Sequence, residues 1–144
     1  MGSTLSIKKL NFEDVQYVQT TPKQFLLLNT LPESQQDCLI VGTIPAASEE
    51  AIINRLLNQR YFSCKIIVYG RNCNDHKCFE KYQKLVKFGF TNVHLYTGGL
   101  FEWLMLQDIY GIELFPTTKR ELDFVKYKSP SILNSPGLLE YGQI

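Results

Sequence analysis

A chain of 144 residues with 44% hydrophobic and 20% charged residues is one domain's worth of ordinary globular sequence, which argues against a disordered or fibrous chain. Fifteen basic residues stand against fourteen acidic ones, so the bulk attraction of a nucleic-acid binder is missing and no nucleic-acid partner is expected. The longest apolar runs are too short to cross a bilayer and no hydrophobic secretory segment opens the chain, so a cytoplasmic protein is expected.

Met1-Gly2-Ser3-Thr4-Leu5-Ser6 fits the N-myristoylation pattern, a glycine after the methionine and a small hydroxyl residue five places after it. Lys8 and Lys9 follow at once, as the second signal that a single acyl chain needs for residence at an anionic leaflet. Residues 1–20 therefore read as an N-terminal segment with a lipidation signal at Gly2 and a membrane surface as partner. A chance or added Met-Gly-Ser is the competing reading.

Phe25-Leu26-Leu27-Leu28, closed by Asn29-Thr30-Leu31-Pro32, predicts a buried strand entering a loop. Cys38-Leu39-Ile40-Val41-Gly42 predicts a second strand, and Ser48 caps a predicted helix with Glu49 and Glu50 in its first turn. Ile52, Ile53, Leu56 and Leu57 share one face of that helix. Lys65-Ile66-Ile67-Val68-Tyr69 is apolar on both faces, the mark of an interior parallel strand, and stops at Gly70. A polar loop over 71–77 leads into a helix carrying Phe79, Tyr82, Leu85 and Val86, which Gly89 ends in a left-handed conformation. Val93-His94-Leu95-Tyr96 is a further strand, and Gly98-Gly99 turns the chain into an apolar helix over 100–110.

Strand and helix alternate with short connections, which predicts an α/β domain over 21–111: a central, mainly parallel sheet covered by helices on both faces. Pro116, Pro130, Pro136 and Gly137 break the periodicity beyond residue 112. The segment 112–144 is expected to wrap the domain through Phe115, Phe124, Leu138 and Leu139, or to be partly disordered. The four cysteines at 38, 64, 73 and 78 form no C-x-x-C pair, so reduced thiols and no metal site are expected.

From 66 to 103 the order of features resembles the rhodanese (sulfurtransferase) domain. Ile66-Ile67-Val68-Tyr69, a polar loop, a helix closing in Lys87-Phe88-Gly89-Phe90, and Val93-His94-Leu95-Tyr96-Thr97-Gly98-Gly99 followed by Trp103 carry the resemblance, which spans roughly residues 24–106. Leu39-Ile40-Val41-Gly42-Thr43-Ile44 looks like a further family segment, with Leu39 and Val41 replacing its histidine and proline. The resemblance implies a cysteine directly after the central strand, held as a thiolate by loop N–H groups and carrying sulfur as a persulfide.

The matching position is Gly70, which has no nucleophile. The expectation is thus a catalytically inactive binding or scaffolding module with no cofactor. Its partner is a protein or a small anion, the anion held by the loop of Gly70, Arg71, Asn72, Asn74, Asp75, His76 and Lys77. The alternative is a noncanonical sulfurtransferase or thiol-reactive enzyme using Cys73, with His76 or Lys77 lowering its pKa. Asp75 has a second role open to it as the cap of the following helix.

Overall fold

The structure, a computed structural model, describes residues 7–133. Gly2 and its acylation pattern lie outside the described residues, as do Leu138 and Leu139. Four strands, β1 (Lys9–Leu10), β2 (Leu26–Asn29), β3 (Ile66–Tyr69) and β4 (Val93–Tyr96), form one sheet in the order β1-β4-β3-β2, every pair parallel. Parallel neighbours need crossover connections. These are supplied by α1 (Phe12–Thr20), α2 (Ala46–Asn58) and α3 (His76–Lys87), while α4 (Gly99–Tyr110) follows the last strand.

Successive side chains of a strand point to opposite faces, and β3 shows the consequence, since all four of its residues are buried. Ile67 and Tyr69 join Val15, Val18, Leu100, Trp103 and Leu104, so α1 and α4 cover one face. Ile66 and Val68 join Leu56, Tyr82 and Leu85, so α2 and α3 cover the other. The interior position of β3, the strand at 93–96 and the two-sided helical cover all agree with the sequence reading.

Three local expectations are corrected. The run at 38–42 is no strand: the Thr43 N–H and hydroxyl both donate to the Ile40 carbonyl (3.1 and 2.6 Å), and Gly42 at φ 94° reverses the chain. Only isolated bridges, Leu27 to Thr43 and Ile40 to Thr117, remain there. Ser48 does not cap α2, which begins at Ala46 after Pro45; the Ser48 N–H already bonds the Pro45 carbonyl at 2.8 Å. Residues 9–20 do not stand apart from the domain. Asn11 and Asp14 bond each other's backbone N–H at 3.1 Å as a capping box, and the α1 they start buries Val15 and Val18.

Beyond α4 the chain folds back over the first face. Phe115 and Tyr127 are buried, and Trp103 Nε1 donates to the Pro116 carbonyl at 3.1 Å. Trp103→Phe removes that donor from a half-buried carbonyl that the Val41 N–H also reaches at 3.2 Å, which costs about 0.5–1.5 kcal/mol, and the urea midpoint should fall accordingly. An unchanged midpoint would show that this hydrogen bond adds nothing to the fold.

His94 lies on β4 with a buried Nδ1 that no described residue partners. Burial lowers its pKa below the usual 6.5, and the charge of Lys8 acts the same way. Below pH 6.5 the unfolded chain therefore binds more protons at this group than the folded one. Stability contributed here is present above 6.5 and lost as pH falls through the lower folded value. His94→Gln should flatten the slope of stability against pH in that window.

Candidate functional site at the end of the central strand

The loop after β3 is held from two sides. In α4, Leu100 N–H donates to the Gly70 carbonyl and Phe101 N–H to the Arg71 carbonyl, both at 2.9 Å. The first N–H groups of a helix have no partner within it, and here the loop supplies two. Gly99, at φ 67°, makes this approach possible: a Cβ there would stand 2.8 Å from the Gly70 oxygen and 2.9 Å from Asn72 N. The double glycine noticed in the sequence is thus the point where α4 meets the loop.

From the other side comes the tail. Arg71 Nη2 donates to the Lys126 carbonyl at 2.5 Å and Asn72 Nδ2 to the Tyr127 carbonyl at 2.7 Å. Asn72 Oδ1 also accepts from Asn74 N–H at 2.9 Å. Two residues that the sequence reading assigned to an external anion therefore spend hydrogen-bonding capacity fixing the 124–127 turn. That tail contact had no signal in the sequence.

Asp75 decides the chemistry of the loop. As the cap of α3, its Oδ1 accepts from Lys77 N–H at 3.0 Å. Its Oδ2 accepts from Arg71 N–H at 2.9 Å and from the Thr30 hydroxyl at 3.3 Å. The carboxylate thereby lies against the α-carbon of Gly70, where an added Cβ would be 2.3 Å from Oδ2 and 2.8 Å from the Thr30 hydroxyl oxygen. Backbone N–H groups expected to receive an external anion already receive one that belongs to the chain.

The remaining site residues spread outward. Cys73, Asn74, His76 and Lys77 are exposed, and no hydrogen bond reaches the Cys73 sulfur among the described residues. Cys78 faces the core, where burial first, and the Asp75 charge second, push its thiol up to about 12, so it stays protonated at neutral pH. Thr30, Arg71, His76, Lys77 and Lys128 line a shallow cavity of about 320 Å³ over the loop. No helix among the described residues is long and apolar enough to cross a membrane.

No family model matches the chain, and no curated protein matches it. Solved structures do. The rhodanese-like domain of the Alr3790 protein from Anabaena aligns with 91% of this chain and 89% of its own at 21% identity and TM-score 0.55. A crystal structure of the same Anabaena protein aligns with 75% of this chain and 89% of its own at 24% identity and TM-score 0.54. A thiosulfate sulfurtransferase from Pseudomonas aeruginosa aligns over 67% of this chain but only 18% of its own length, at 21% identity and TM-score 0.53. With a parallel four-stranded sheet that has β3 inside and helices on both faces, and with these structural matches, the chain has the rhodanese-like fold.

Proposed function

We propose that this protein is a catalytically inactive rhodanese-like binding module, held at a membrane surface through an acylated Gly2. One observation carries the first half: the position directly after β3 is a glycine whose α-carbon is covered by the Asp75 carboxylate. A thiolate there would need both a side chain and the N–H groups that Asp75 holds. The second half rests on the pattern from Gly2 to Ser6. Once Met1 is removed, the Gly2 amine attacks a long-chain acyl thioester, forming an amide and releasing the thiol.

Sulfur transfer from thiosulfate to cyanide should stay at the level of a blank without protein. Turnover that vanishes in Cys73→Ser would overturn the inactive reading in favour of that exposed thiol. Expressed in a eukaryotic cytosol, the chain should gain the mass of a myristoyl group and sediment partly with membranes, whereas Gly2→Ala should do neither. An unmodified Gly2 would leave the binding module without its anchor.

A further inference from the structure

On the second face of the sheet, between α3 and the start of β4, lies a groove of about 770 Å³. That volume falls within the range of clefts that enclose small apolar ligands. Its walls are Phe79, Tyr82, Val86, Phe90 and Val93, with Lys8 and Lys87 at the rim. The register of α3 turns Cys78, Tyr82 and Leu85 to the core and leaves Phe79 37% exposed beside the groove.

The described chain begins at Ile7, and Ile7 itself lines this groove and packs on the core cluster of Tyr82, Phe90 and Val93. Lys8 is fastened alongside: its N–H donates to the Tyr82 hydroxyl at 3.4 Å and its ammonium to the Thr91 carbonyl at 3.3 Å. Gly2 is five residues upstream of Ile7, so its amine lies at most about 18 Å of extended chain away.

We propose that the acyl chain on Gly2 seats in this groove, giving the protein a closed state that competes with the bilayer; this rests on the acylation reading above. A single myristoyl chain binds a bilayer only marginally, at roughly 10⁴ M⁻¹. An intramolecular site populated about ten to one over the open state would lower apparent bilayer affinity about tenfold.

The test uses the full chain, produced in bacteria with and without a eukaryotic N-myristoyltransferase and checked by intact mass. Backbone amide exchange at Val86, Phe90, Thr91 and Val93 should slow in the acylated protein without lipid. Partition of acylated protein onto neutral phosphatidylcholine vesicles should rise about tenfold in Phe79→Ser, while the unacylated chain should not partition at all. Exchange unchanged by acylation, or equal partition for parent and Phe79→Ser, overturns the proposal and leaves the anchor intact. A missing mass increment overturns the anchor and the proposal together. Protection that appears only with dimerisation assigns the groove to a neighbour's acyl chain and equally overturns the closed state.

Discussion

Gly70→Cys should yield a destabilised protein that still transfers no sulfur. Its new Cβ would fall 2.3 Å from Asp75 Oδ2 and 2.8 Å from Asp75 Cγ, so the carboxylate must swing out and give up the N–H groups of Arg71 and Lys77. Overpacking and the lost cap together cost about 2–4 kcal/mol. The displaced carboxylate remains a near neighbour and a like charge, so the introduced thiol should titrate above the ordinary value of about 8.5.

Gly70→Cys combined with Asp75→Ala should behave differently. The freed N–H groups at the mouth of α3 then face a thiolate, and its pKa should drop below about 8.5. Alkylation by iodoacetamide at pH 7, in a Cys73→Ser background that silences the exposed thiol, should run at least about tenfold faster in the combined variant than in Gly70→Cys alone. Equal rates, together with a parental melting temperature for Gly70→Cys, would show that Asp75 does not fill the loop.

Gly99→Ala should be the more damaging change to the fold. At φ 67° an L side chain costs about 1–2 kcal/mol. The added Cβ meets the Gly70 oxygen at 2.8 Å, and the Arg71 carbonyl carbon and Asn72 N at 2.9 Å. All three are backbone atoms, so relief requires α4 to move off the loop, at about 1–3 kcal/mol more. At roughly 2–4 °C for each kcal/mol in a chain near this size, the melting temperature should fall by about 10 °C. Gly98→Ala meets only side-chain atoms of Glu102, whose carboxylate can turn away at the expense of its 2.6 Å bond from the Tyr96 hydroxyl, and calorimetry should show less than half that loss. Equal losses would mean that the contact between α4 and the loop is not what requires glycine at 99.

Residue order by itself determined the elements whose signals are local. Four apolar residues ending at Gly70 specify β3 as buried on both faces, because a strand with no polar alternation has no face to give to water. Asp75 at the start of an amphipathic repeat and Gly89 at its end mark α3, since caps act within one turn. Gly98-Gly99 was visible as a turn before α4 for the same reason.

Tertiary structure decided everything that depends on which segments meet. The two residues of β1 are too few to show a period, and they form a strand only because β4 offers an edge to Lys9 and Leu10. The run at 38–42 has strand composition, yet Gly42 and the doubly bonded Ile40 carbonyl turn it away from the sheet. α1 was missed although Asn11 and Asp14 announce it, because its short apolar repeat carries weight only once Val15 and Val18 find the sheet. Above all, composition showed a glycine after β3 and an aspartate five residues on. That the aspartate lies over the glycine and fills the loop follows from the turn between them and from Thr30, brought there by β2. Such a contact has no sequence signature, since its partners are set by the path of the folded chain and not by spacing along it.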